Sequence, residues 1–167
     1  RGAPPQDGGE GGGEERPAEG LALFASLRPP LPLSTVLPHV RAHAPEAVAR
    51  GYLETELKAR GGSTPPEFHD ELVLMYLQAV QEERLTKPGW SERAHSAVRL
   101  RLLNFLQSPA ARFSPDKMLG RFPLDGLYEE RAQLLSRIHH HRSAVSIYVH
   151  ALRSPRLAEA YCDRVWE

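Results

Sequence analysis

A chain of 167 residues has room for one ordinary domain and can bury roughly two thirds of its unfolded surface. Charged residues make up 25% and apolar ones 41%, and Lys+Arg equal Asp+Glu at 21 each, so the net charge is zero. That balance lacks the basic excess of a nucleic-acid binder, which leaves protein partners open, and the lone cysteine, Cys162, excludes an internal disulfide.

Residues 1–20 are rich in Gly, Pro and Glu with almost no large apolar side chain. Burial there cannot offset the entropy of ordering, so a disordered linker is expected. The run around Gly9 to Gly13 lacks the Lys-Ser/Thr ending of a phosphate loop. A start at Arg1 rather than Met reads as a fragment, and no basic-then-apolar leader opens it. The longest apolar run, Leu72 to Leu77, is far short of the ~20 residues a membrane span needs, so a soluble chain is expected.

From Leu21 the pattern turns helical. Ser34 reads as the N-cap of a short helix to about His43, and Pro45 opens the next, with Val48, Tyr52, Leu53 and Leu57 on one face and Gly61-Gly62 as its stop. A longer helix spans about Glu67 to Leu85, ended by Lys87-Pro88-Gly89. Ser91 is expected to cap a helix bearing Ala94, Val98, Leu102, Phe105 and Leu106. A short helix follows Ser114-Pro115 and closes at Gly120. Leu124, Leu127, Tyr128, Leu134, Leu135 and Ile138 form the next stripe; Val145, Tyr148, Val149 and Leu152 another; Leu157, Ala158, Tyr161, Cys162 and Val165 the last. Cys162 is expected to be an inert core position on that stripe. No segment alternates with period two, so the chain is expected to be all-α. Short helices of similar length joined by tight turns favour an α-solenoid of stacked antiparallel hairpins over 21–167.

Candidate chemistry is sparse. His39 and His43 share a helix face, but Val40 stands where a zinc protease needs its glutamate. His139, His140 and His141 are consecutive, about 100° apart on a helix, and cannot converge on one ion; they mark a solvated turn. Glu129 and Glu130 likewise diverge and read as an ion pair or a solvated face. Arg99 with Arg101, and Arg137 with Arg142, are small basic patches of a solvated face. No G-x-S-x-G elbow occurs, and the aromatic residues, 7% of the chain, form no stacking platform for bases. No catalytic, cofactor-binding or metal-ligating residue is assigned, and no cofactor is expected. A metal-dependent enzyme built on the histidines is the reading least supported.

One stretch is specific. Phe122, Asp125, Gly126, Leu127, Glu129, Glu130, Arg131, Ile147, Tyr148, Val149, His150, Leu152, Ala158, Glu159, Tyr161 and Cys162 reproduce a pattern, Phe-x-x-Asp-Gly-Leu … Glu-Glu-Arg … Ile-Tyr-Val-His-x-Leu … Ala-Glu-x-Tyr-Cys. It resembles the vacuolar protein-sorting tether family, whose branches are a HOPS-complex subunit and a TGF-β-receptor-associated paralogue. Ala44-Pro45 with Tyr52-Leu53-Glu54 is a looser match upstream. Asp-Gly-Leu with Glu-Glu-Arg reads closer to the HOPS branch. The family usually has glycine where His139 stands, so a wider or less left-handed turn is expected there.

The resemblance implies an α-solenoid similar to clathrin heavy-chain repeats, acting as a non-enzymatic scaffold in membrane tethering and fusion at the late endosome, autophagosome and lysosome or vacuole. It implies other HOPS or CORVET tether subunits as partners, with Rab GTPase and SNAREs reached through the wider complex. No nucleic acid is implied, and membrane contact is indirect. The location implied is cytoplasmic, peripheral on late endosome, lysosome or vacuole membranes. The alternative is a CORVET-type or TGF-β-receptor-associated adaptor at early endosomes.

Overall fold

The structure, a computed structural model, describes residues 15–26 and 31–166. Every regular element among them is helical and none is a strand, so the chain is all-α. It divides into two compact units, 1–52 and 53–167. The linker expected over 1–20 lies outside the described residues up to residue 14, and from Glu15 the backbone is helical.

The first unit holds α1 (Glu15–Ser26), α2 (Leu33–His43) and the start of α3 (Glu46–Arg60). Leu33, Val36, Leu37 and Val40 recur at three and four and are the buried residues of α2. Pro32 takes the N-cap place expected of Ser34; its carbonyl accepts from the Thr35 and Val36 amides. The Pro45 carbonyl opens α3 in the same way, accepting from Val48 and Ala49.

The second unit carries the rest of α3, a 3₁₀ turn (Gly61–Ser63), α4 (Pro66–Thr86), α5 (Ala97–Gln107), α6 (Pro115–Leu119), α7 (Tyr128–Arg137), α8 (His141–Ser146), a π-helical turn (Ile147–Ala151) and α9 (Pro155–Trp166). From α4 onward the principal contacts join each element to its next or next-but-one neighbour: α4 to α5 and α6, α5 and α6 to α7, α7 to α8 and the π turn, and these last two to α9. Contacts so local in sequence are what stacked helical hairpins require.

Leu72, Val73, Met75, Tyr76 and Val80 on α4 meet a core completed by Leu102 and Leu106 of α5, Met118 of α6 and Leu134 of α7. Side chains of α4 also pin the next segment. The Asp70 carboxylate accepts from the Ser114 amide at 2.6 Å and holds Lys117 at 3.1 Å, which fixes the entry to α6.

Four expectations are corrected here. Ser91 does not cap α5: residues Ser91 to His95 form turns, and Ser96 is the cap, its hydroxyl accepting from the Arg99 amide at 3.2 Å. Leu124 is not on the α7 stripe; it precedes the helix and is 80% exposed. Val149 lies on the outside of the π turn, where i→i+5 bonding from Leu152 to Ile147 rotates it off the buried face. Cys162 is exposed: Ala158 and Tyr161 are the buried face of α9, and the next residue turns about 100° away from it.

The α7–α8 turn departs from a local rule as well. His139 has φ +61°, so the turn stays left-handed without glycine, against the expectation of a less left-handed one. The His140 amide bonds to the Leu135 carbonyl and the His139 amide to that of Ser136, the paired bonds of a Schellman ending. This geometry leaves no choice of backbone at His139, and an L side chain there costs about 1–2 kcal/mol. His139→Gly is therefore expected to raise unfolding stability by about 0.5–1 kcal/mol, after the larger chain entropy of glycine is subtracted. His139→Val should lower it instead; urea titration of both variants checks the sign.

Candidate functional site

Two constellations stand out in the second unit, a buried polar junction and an apolar groove. The junction is built where α5 meets α7. Ser96 starts α5 so that Arg99, Leu102, Leu103 and Leu106 point inward. Arg99 has no exposed surface, nor has Glu130 on α7. The two are joined twice, Nε to Oε1 at 2.6 Å and Nη2 to Oε2 at 3.0 Å, the bidentate fork of Arg with a carboxylate. The third arm of the guanidinium donates to the Glu92 and Ala94 carbonyls at 3.0 Å each, and the ring of Trp90 lies 5.3 Å away. Burial alone would lower the Arg99 pKa, but Glu130, Glu92 and Glu129 override it and hold it above the usual arginine value.

The remaining carboxylate, Glu92, reaches back to the start of α7. It accepts from the Leu127 amide at 3.1 Å and the Tyr128 amide at 3.4 Å, and lies 3.4 Å from Arg99. Leu127 at this N-cap has φ +52° and no side-chain oxygen, so Glu92 supplies the capping acceptor from a distance. Arg84 of α4 clamps the backbone two residues earlier, donating to the Asp125 carbonyl at 2.8 Å. Gly126 leaves room for this clamp: a Cβ there would sit 2.8 Å from the guanidinium, and the Arg84 side chain would have to shift. Asp125, Gly126, Leu127 and Glu130 thus have structural uses.

The isolated chemical candidates do not assemble. His39 and His43 are exposed on α2 with rings 4.3 Å apart, and the His43 Nδ1 donates to the His39 carbonyl at 2.9 Å. His141 meets the Tyr161 hydroxyl, 2.7 Å distant, while its ring stands edge-on to that of His139 at 5.8 Å. Among the described residues no group of three His, Cys, Asp or Glu side chains is placed to hold a metal ion, and no described helix is long and apolar enough to cross a membrane. Glu129 and Glu130 do diverge: Glu129 meets His95 at 2.7 Å while Glu130 goes inside. The basic-patch reading is corrected. Arg99 is buried as described, and Arg137 donates to the Leu106 and Ser108 carbonyls at the end of α5, over the face of Phe113. Arg101 and Arg142 are exposed.

A signal for the junction was present in the sequence. Glu130 falls between Leu127 and Leu134, and Arg99 precedes Leu102 and Leu106, each at three-four spacing on an apolar stripe. One acid and one base on facing stripes mark a buried pair.

The C-terminal helices close over a second cluster of Ala132, Ala144, Tyr148, Leu152, Ala158 and Tyr161. Inside it the Gln133 amide donates to the Tyr148 hydroxyl at 2.8 Å, and Arg164 reaches the Gln133 carbonyl oxygen at 3.4 Å.

The groove opens between the end of α3, α4 and α5, with a volume of about 480 Å³. Leu57, Phe105 and Ala111 give it an apolar floor, and Glu54, Lys58 and Arg101 stand on its rim. Burial pushes the Glu54 carboxyl up, but hydrogen bonds from Lys58 and Tyr76 with the charges of Lys58 and Arg101 leave it below the ordinary value.

Comparison with known proteins accounts for the signature. No family model and no solved structure matches the chain. It is 36% identical to vacuolar sorting protein 39 of Arabidopsis thaliana over 92% of the chain and 15% of that protein. It is 33% identical to the human Vam6/Vps39-like protein over 90% of the chain and 18% of that protein, and 32% identical to the Drosophila melanogaster vacuolar protein sorting-associated protein 39 homolog over 89% of the chain and 17% of the relative. The chain therefore spans less than a fifth of the length of these relatives. With similarity this continuous along an all-helical segment, and with the Asp-Gly-Leu and Glu-Glu-Arg residues given structural work, this chain belongs to the Vam6/Vps39 family of vacuolar sorting proteins.

Proposed function

We propose that the chain is a helical scaffold segment of a HOPS-type tethering-complex subunit, acting without catalysis. In this role it serves vesicle-mediated protein transport, helping to tether and fuse late endosomes and autophagosomes with the lysosome or vacuole. The observation that carries the reading is the similarity over about nine tenths of the chain to proteins named for vacuolar sorting. The stacked helices support it, since a stack leaves long faces free for neighbouring subunits while its core carries the load. Its partners are the other HOPS or CORVET subunits; Rab GTPase and SNAREs engage the wider complex. Membrane attachment is peripheral and indirect, on the cytoplasmic side of late endosome, lysosome or vacuole.

The test is recovery of the affinity-tagged full-length protein from an extract of its own cells. Other tether subunits are expected in stoichiometric yield, with the protein on late endosomes or the vacuole. Recovery of none of them overturns the reading, and an early-endosome location in company with a receptor would replace it with the adaptor alternative.

A further inference from the structure

The geometry points to the α3–α4–α5 groove as a docking site for a short peptide segment of a partner, one that carries an apolar side chain flanked by acidic ones. This assignment stands apart from the tether reading, because it rests on the groove alone. The volume, about 480 Å³, lies within the range of sites that accept a compact ligand. Leu57, Phe105 and Ala111 offer an apolar floor for one anchoring side chain.

The rim selects for charge. Lys58 and Arg101 line the groove with side chains 74% and 64% exposed. Outside the lining, Arg112 donates to the Gly62 carbonyl at 2.6 Å, next to the lining residue Gly61. Against these two lining cations stands one lining carboxylate, Glu54, already engaged by Lys58 at 2.7 Å and the Tyr76 hydroxyl at 2.6 Å. Arg101 lies 4.0 Å from it, at the limit of an ion pair, and so keeps a guanidinium face for an incoming acid.

The wall supplies an independent mark. His69 lines the groove, is 3% exposed and stacks on Phe105 with ring centroids 6.0 Å apart. Its Nδ1 accepts from the Arg112 amide at 3.3 Å, so the neutral ring carries its proton on Nε2. Burial, then the charge of Arg112, lowers the imidazole pKa and favours that neutral form. Among the described residues the Nε2 donor has no partner. Buried donors are rarely left so, and a carbonyl or carboxylate of a seated peptide would satisfy this one.

Selection of phage-displayed random dodecamers on the 167-residue chain, then fluorescence anisotropy of the enriched peptide, tests the assignment. Enriched sequences should place Leu, Ile, Met or Phe beside Asp or Glu, and should bind saturably. Arg101→Glu and Ala110→Glu, both on exposed lining residues, should each weaken binding about tenfold or more while leaving the thermal melt by circular dichroism unchanged. The imidazole nitrogen resonances of His69 should shift on titration. No enriched class, enrichment of basic sequences, or equal binding by both variants would overturn the proposal. So would phosphatidylserine vesicles that bind with the same dependence on Arg101, which would assign the groove to a lipid headgroup.

Discussion

Glu130→Ala is expected to destabilise the chain by about 3–5 kcal/mol, the usual loss when one partner of a buried ion pair is removed. Arg99 then keeps its charge with no exposed surface and loses both short bonds to the carboxylate. Its bonds to the Glu92 and Ala94 carbonyls and its 3.4 Å contact with Glu92 remain, which places the effect towards the lower end of that range. Replacing the pair together, Arg99→Met with Glu130→Leu, should recover part of the loss, because no charge is left buried. The recovery stays incomplete by about 1–3 kcal/mol, since the carbonyls that Arg99 had satisfied lose their donor. Urea unfolding of the three proteins gives the numbers. A single mutant as stable as the native chain would mean that water reaches Arg99.

Tyr148→Ala should cost a similar amount, about 3–5 kcal/mol, by opening a cavity in the C-terminal cluster. Tyr148→Phe keeps the ring packed on Tyr161, 5.4 Å between centroids, but strips the acceptor from the Gln133 amide, and should cost about 1–3 kcal/mol. The hydroxyl also carries a pH signature. Burial, with the charge of Glu129, pushes its pKa up to about 12 from the ordinary 10.0, against the opposing effect of Arg164. The folded state thus favours the neutral phenol. This contribution is fully present below pH ~10 and is lost as the pH rises through about 12, roughly 2–3 kcal/mol in all. Subtracting the stability–pH curve of Tyr148→Phe from that of the native chain isolates it from the lysines that titrate in the same range.

How far the sequence reveals the molecule depends on whether its signals are local. The apolar stripes of α2, α4 and α9 and the stops at Gly61 and Gly120 are set by neighbours within a turn or two, and the helices fall close to where periodicity puts them. The start of α5 does not, because Ser91 and Ser96 are equally good caps by type. What separates them is Arg99, which draws the intervening carbonyls onto its guanidinium. The left-handed backbone at His139 is likewise held by amides of the turn, whatever side chain stands there. The groove was not legible at all, since it joins residues from Glu54 to Ala111 that share no motif.

The distant cap on α7 also bears on how the chain is made. Glu92 leaves the ribosome 35 residues ahead of Leu127, which is about two to seven seconds at a synthesis rate of ~5–20 residues per second. The acceptor for the first amides of α7 is in hand before that helix exists, so α7 can be finished as it emerges. Synthesis thus runs in the same direction as the dependence of each hairpin on the one before it.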